Sequence, residues 1–131
     1  MSCSSVEVAP VQATTVADSI SVDIPRDGLA AVRAVWESGG RAVQVPDAEI
    51  LAAIPEIARN SGVFAEPAAA CAWGGIKRAA AQGIIGAEEE VVFLCTGNGL
   101  KDIASARKAA GEPTPLECDV AAAMAATEGV A

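Results

Sequence analysis

The chain has 131 residues, of which 52% are hydrophobic and only 3% aromatic, and its formal net charge at pH 7 is −8. This length suits one domain, and the acidic charge argues against a nucleic-acid partner because such partners bind clustered Lys and Arg. The chain contains no histidine, which excludes His-based acid–base catalysis, Ser-His triads and imidazole metal sites.

The first third of the chain combines extended and helical patterns. Residues 1–16 carry no helix signal and are predicted to form an extended lead-in. Residues 20–24 alternate apolar and polar side chains, as a half-buried strand does, and Pro25 ends the pattern. A helix with one apolar side is predicted over 26–38, and a short strand over 42–45.

Helices dominate the predicted elements of the remaining chain. The clearest amphipathic helix covers 47–60, and a second helix, built almost entirely of small residues, covers 66–82. The apolar run 91–95 predicts a strand that is buried on both faces. A helix follows over 103–110, and a weak alanine-rich helix is expected near 118–127.

Thr96, Gly97 and Asn98 follow directly after the predicted strand 91–95. Ligands of open α/β sheets bind beyond the carboxyl ends of the strands, so these residues are candidates for a binding site. The alternative is a strand followed only by a tight turn. A nucleotide-binding domain is disfavoured, because the glycines have neither the GxGxxG nor the P-loop spacing.

The predicted strands are too few for a complete sheet. Strands 42–45 and 91–95 are separated by two helices, which is the crossover that parallel strands need. Two short strands do not make a stable sheet. We therefore expect an α/β protein with a partial three-layer parallel sheet, either a fragment of a larger protein or a subunit completed by a partner.

The cellular setting is inferred from cysteines and from apolar runs. The four cysteines lie far apart without CxxC spacing, so no disulfides and a reducing compartment are expected. The N-terminus lacks the pattern of a signal peptide, and no apolar run approaches the length that spans a membrane. A cytoplasmic protein without a membrane partner is predicted.

Five stretches of the chain, in their order and spacing, resemble threonine synthase, a pyridoxal-phosphate (PLP) enzyme of the tryptophan-synthase-β-like superfamily. They are ADSISVDIPR (17–26), ESGG (37–40), DAEIL (47–51), VFAEPAAA (63–70) and TGNGLKD (96–102). The resemblance is to the C-terminal third of the enzyme and implies the C-terminal part of the large domain of a fold-type-II enzyme over 17–115. Residues 116–131 are then a weakly helical tail.

The resemblance implies a role for six residues in binding PLP. Thr96 matches the hydroxyl residue that bonds the pyridine nitrogen, and Gly97 and Asn98 match the turn beside it. Glu66 matches an acidic residue near the cofactor ring, although it could instead only cap its helix. Asp18 and Ser19 match the segment on the opposite side of the ring, where Ser19 could alternatively be a turn hydroxyl.

The resemblance also implies that parts of the active site lie outside this chain. In the family, the Schiff-base lysine and the Gly-rich phosphate loop belong to the region N-terminal to the one seen here. None of the lysines of the chain matches the Schiff-base motif (Lys77, Lys101 and Lys108), so no catalytic residue is assigned. No metal site is expected either. Asp23 stands where the family usually has glycine, which puts the conformation of 20–25 in doubt.

The resemblance implies an enzyme that converts O-phosphohomoserine and water into threonine and phosphate. We expect this chain to supply the pyridine-ring side of the PLP pocket, to need an N-terminal part or partner chain, to belong to a homodimer and to be inactive alone. Related PLP enzymes, threonine or serine dehydratase and cysteate synthase, remain open. A non-catalytic interaction module that docks on a longer partner is a further alternative.

Overall fold

Five α-helices and two 3₁₀ turns make up the regular structure of the described residues. The computed structural model describes residues 7–113, 115–116 and 118–127. The 3₁₀ turns cover Asp18–Ile20 and Gly99–Lys101. The helices are α1 (Gly28–Ser38), α2 (Asp47–Ser61), α3 (Pro67–Ala81), α4 (Ile103–Ala110) and α5 (Val120–Thr127).

Helices α2 and α3 pack against each other and form the centre of the molecule. Helix α2 begins with Asp47, whose negative charge suits a helix N-terminus, and ends at Gly62, which adopts a φ of +72°. Pro67 occupies the first turn of α3, where a missing N–H costs nothing. The buried core consists only of alanine and isoleucine side chains: Ala17, Ile50, Ala53, Ile54, Ile57, Ala65, Ala69 and Ala70.

The predicted helices are confirmed. The helix predicted over 26–38 begins two residues later, at Gly28, and that over 103–110 has the predicted bounds. The remaining helices end within a few residues of the predicted positions. Helix α5 has no buried residue, and residues 128–131 of the predicted tail lie outside the described part of the chain.

The predicted parallel sheet is absent from the described residues. None of the predicted strands 20–24, 42–45 and 91–95 forms, and the 3₁₀ turn Asp18–Ile20 reaches the first residue of 20–24. The physical reason is pairing: a strand requires neighbouring backbone to bond its N–H and C=O groups, and these segments have no such neighbour here. The one β-bridge among the described residues joins Ala65 to Asn98 in antiparallel orientation.

Asp47 ties the lead-in to helix α2, and Asp23 ties it to the exposed loop before α1. The backbone N–H of Ala13 donates to Oδ1 of Asp23 at 2.9 Å. Both carboxylate oxygens of Asp47 are used, one accepting from the Thr15 hydroxyl at 2.6 Å and the other from the Val16 N–H at 3.1 Å. The aspartate at position 23 thus fixes the extended segment that precedes the first 3₁₀ turn.

Helix α1 differs from α2 and α3 because none of its residues is buried. Its predicted apolar side is present, but Leu29 is 52% and Trp36 57% exposed. None of the helices in the described ranges combines the length and the apolar character needed to cross a bilayer.

Truncating a core side chain and an α1 side chain should have very different effects on stability. Ile50 is 1% exposed, so Ile50→Ala should lower the free energy of unfolding by about 2–5 kcal/mol. Leu29→Ala should change it by less than about 0.5 kcal/mol because its side chain is already half exposed. Urea unfolding followed by circular dichroism measures both values. An equal loss for the two variants would contradict the exposed position of α1.

Candidate functional site

A short backbone pairing brings the start of α3 next to the glycine-rich turn. The N–H of Glu66 donates to the carbonyl of Gly97 at 3.0 Å, and the N–H of Gly99 donates to the carbonyl of Phe64 at 2.9 Å. Ala65, which lies between the two bonds, is fully buried. This pairing joins the two sequence stretches, 63–70 and 96–102, that carry the strongest motifs.

The close approach of these segments requires glycine at two positions. A Cβ atom added to Gly97 would overlap the carboxylate of Glu66, and one added to Gly99 would overlap the ring of Phe64. Neither site offers room for any side chain unless Glu66 or Phe64 moves. Gly97 and Gly99 are therefore needed so that the turn can approach the segment that leads into α3.

The carboxylate of Glu66 is the centre of the site. Glu66 is only 5% exposed, and its Oε2 accepts from the Ser19 hydroxyl at 3.0 Å. The ammonium of Lys101 lies 3.0 Å from the same oxygen and donates to Oγ of Ser19 at 3.3 Å. The hydrogen bond from Lys101 lowers the pKa of Glu66, and that of Ser19 adds to the shift, while burial opposes it.

A small pocket of about 130 Å³ opens beside this carboxylate. It is lined by Asp18, Ser19, Glu66, Pro67, Ala68, Lys101 and Asp102. Polar and charged groups therefore surround the cavity, and most of them come from the Asp18–Ile20 turn, the start of α3 and the turn before α4.

The structure brings five of the six predicted site residues into direct contact or onto the same pocket. Ser19 bonds Glu66, Asp18 lines the pocket, and Gly97 and Asn98 belong to the backbone pairing. Thr96 precedes this turn, is exposed, and its hydroxyl has no hydrogen-bond partner among the described residues.

Helix capping accounts for only part of these residues' behaviour. Glu66 occupies the N-cap position of α3, but its side chain makes no capping hydrogen bond there and instead bonds Ser19. Asn98 does act as a cap, since its Oδ1 accepts from the N–H of Leu100 at 2.9 Å. The alternative of a simple capping role thus fits Asn98 and not Glu66.

Lys101 and Asp102 belong to the site, although sequence reasoning did not assign either of them to it. Oδ1 of Asp102 accepts from the N–H of Ser105 at 2.9 Å and so caps the start of α4. Hydrogen bonds from the Ser105 side chain, and next from its backbone, lower the pKa of Asp102. Lys101 was considered only as a candidate for covalent cofactor attachment. Glu66 and Lys101 carry opposite charges and could therefore form an ion pair. Only the backbone pairing of their two segments, which the sequence does not show, brings them together.

The described residues offer few other reactive groups. No cluster of three or more Cys, Asp or Glu side chains among them is arranged to hold a metal ion. Cys71, Cys95 and Cys118 are free thiols, and Cys3 lies outside the described ranges.

Comparison with known proteins identifies the class to which this fold and site belong. Residues 2–97 match the model of the pyridoxal-phosphate dependent enzyme family, so the chain belongs to that family, whose members depend on PLP. The matched region includes Glu66 and ends just after Thr96, at Gly97.

Several relatives with similar sequences are threonine synthases. The chain is 41% identical to that of Methanocaldococcus jannaschii over 106 residues, which are 81% of the chain and 26% of the relative. It is 38% identical to that of Methanosarcina acetivorans over 117 residues (89% and 29%) and to that of Mycobacterium tuberculosis H37Rv over 110 residues (84% and 31%). The chain thus spans less than a third of the length of these relatives.

Replacing Glu66 should destabilise the protein in a pH-dependent way. Because its pKa is lowered on folding, ionised Glu66 contributes fully above the ordinary glutamate value of 4.5. That contribution disappears as pH falls through the lowered pKa. Glu66→Gln should therefore cost about 1.5–3 kcal/mol at neutral pH, and this cost should shrink in acid.

Urea unfolding of both proteins over a pH series checks this expectation. Glu56→Gln is the matched control: Glu56 pairs with Lys77, but the two side chains are 32% and 50% exposed, so its cost should stay below about 1 kcal/mol. A cost for Glu66→Gln that is independent of pH would contradict the assignment.

Adding a methyl group at Gly97 should be far more costly than adding one at another glycine. Gly97→Ala displaces the Glu66 carboxylate and should lower the free energy of unfolding by about 1–3 kcal/mol. In Gly75→Ala, the new methyl group lies in α3 at 3.8 Å from Val45, an ordinary contact, and should raise stability by about 0.5–1 kcal/mol. Thermal melts of the two variants measure this difference. Equal shifts in Tm would contradict the close contact between Gly97 and Glu66.

Proposed function

We propose that this chain is the C-terminal portion of a threonine-synthase-like enzyme and supplies the pyridine-ring side of its PLP pocket. The observation that carries the proposal is the pairing of the EPA segment at Glu66 with the turn at Gly97, which brings Ser19 and Asp18 alongside. Membership in the PLP-dependent family supports PLP as the ligand that we assign to this cluster. The names of the relatives favour threonine synthase among the reactions of the family.

The residues present fit one side of the cofactor. Thr96 offers an exposed hydroxyl without a partner among the described residues, and it stands beside a turn that is bonded to α3. We assign to it the hydrogen bond to the pyridine nitrogen. When bound, PLP serves as the electron sink for the amino-acid substrate. A neutral hydroxyl, unlike a carboxylate, leaves the pyridine nitrogen largely unprotonated and so restrains that sink.

The other residues act on the surroundings of the ring. Glu66 keeps its negative charge because Lys101 and Ser19 both donate to it. It also holds Gly97, the residue next to Thr96, through a backbone hydrogen bond. Asp18 and Ser19 close the pocket from the 3₁₀ turn. Nothing in this set binds a cofactor phosphate, so that function is assigned to the remaining part of the complete enzyme, together with the covalent attachment.

The reaction that we assign to the complete enzyme is conversion of O-phosphohomoserine and water into threonine and phosphate, in a homodimer. This chain alone should neither bind PLP covalently nor release phosphate. A second candidate, a docking module without catalysis, is favoured only by the exposed apolar side of α1. That candidate requires a longer partner that binds the chain in the absence of PLP.

Joining this chain to the complementary N-terminal part of the Methanocaldococcus jannaschii threonine synthase provides the test. The chimera should bind PLP and release phosphate from O-phosphohomoserine. Thr96→Val should lower kcat/KM by about tenfold or more through loss of one hydrogen bond, while Thr96→Ser should keep most of the activity. Thr14→Val, in the exposed lead-in, is the control and should have no effect.

Two outcomes would contradict the proposal. A folded chimera that binds no PLP would exclude this chain as part of the pocket. Phosphate release by the isolated chain, in a preparation without a second polypeptide, would show that no complementary part is needed.

A further inference from the structure

Lys101 is the one cation that contacts the buried carboxylate of Glu66 within the described part of the chain. Its Nζ lies 3.0 Å from Oε2 of Glu66 and 3.3 Å from Oγ of Ser19. The same ammonium therefore joins the first 3₁₀ turn, the start of α3 and the second 3₁₀ turn. Ser19 and Lys101 are 82 positions apart in the sequence.

The backbone on both sides of Lys101 is fixed by neighbouring caps. Asn98 accepts from the N–H of Leu100, and Asp102 accepts from that of Ser105. The N–H of Lys101 itself donates to the carbonyl of Asn98 at 3.1 Å. The side chain thus reaches Glu66 from an anchored position, although it is 59% exposed.

The position of the Glu66 carboxylate determines the position of the turn. Gly97 packs so closely on this carboxylate that a Cβ atom would overlap it, and its carbonyl accepts the Glu66 N–H. A rotation of the Glu66 side chain would therefore change the packing around Gly97. Thr96 is the next residue along the backbone, so its hydroxyl shares the placement of the turn.

We propose that Lys101 is a positioning residue of the cofactor site: by holding Glu66 and Ser19 together it keeps the Thr96–Gly97 turn in place for the pyridine ring. This inference rests on the proposed function, because it concerns the same pocket. Lys101 acts through Glu66 and has no assigned contact with cofactor or substrate.

The first test needs only the chain itself and no cofactor. Lys101→Met should speed amide hydrogen exchange at Glu66 and Gly99, the two donors of the backbone pairing, by about tenfold or more. Lys101→Arg, which keeps the charge and the donors, should restore slow exchange. Lys77→Met, which removes the surface pair with Glu56, should leave both amides unchanged. If Lys101→Met does not fold, Lys101→Gln is measured in its place.

The second test uses the chimera and measures the cofactor directly. In Lys101→Met, the PLP absorbance and fluorescence should shift and the affinity for PLP should fall by about tenfold, with rescue by Lys101→Arg. Unchanged exchange would overturn the inference. Faster exchange with an unaltered PLP spectrum and affinity would also overturn it, because Lys101 would then have only a structural role. A wild-type chimera that binds no PLP would instead refute the proposed function, and this role with it.

Discussion

The site depends on the burial of one carboxylate. Glu66 is almost inaccessible to water, and a buried charge is tolerated only where it is paired and hydrogen-bonded. Lys101 and Ser19 meet that requirement from two other segments of the chain. Glycine is required at position 97 because the carboxylate occupies the space that a side chain would fill, whereas at position 99 the ring of Phe64 occupies that space. The buried carboxylate thus joins three stretches that are separate in the sequence, through Ser19, Gly97 and Lys101.

The rest of the molecule combines a small core with surfaces that remain open. The core cluster consists of alanine and isoleucine side chains of α2, α3 and the adjoining Ala17 and Ala65, whereas α1 and α5 have no buried residue. The apolar segment before Thr96 is exposed at Val92 and Leu94 in the same way. Such surfaces agree with a chain that spans less than a third of the length of the relatives it matches.

Sequence reasoning predicted the helices well because their determinants are local. The i, i+4 spacing of α2, the proline at the start of α3 and the glycine that ends α2 act within a few residues. Segment 91–95 does not form the predicted strand, because an apolar pattern does not show whether a neighbouring strand is present to pair with it. The family resemblance assigned Ser19 and Glu66 to the cofactor site without predicting the hydrogen bond between them. It assigned no role to Lys101, since the pairing of Lys101 with Glu66 is created by tertiary approach and not by sequence spacing.

The long sequence separations at Glu66 have a consequence for the order of folding. Its partner Ser19 is 47 positions away, so the loop between them must close before the bond can form, while α2 and α3 are neighbours in the chain. We expect the helical pair to be structured in the transition state and the Glu66 contacts to form after it. Loss of those contacts would then accelerate unfolding and leave the folding rate almost unchanged. The lifetime of the assembled pocket would therefore be set by the rate at which the Glu66 contacts break.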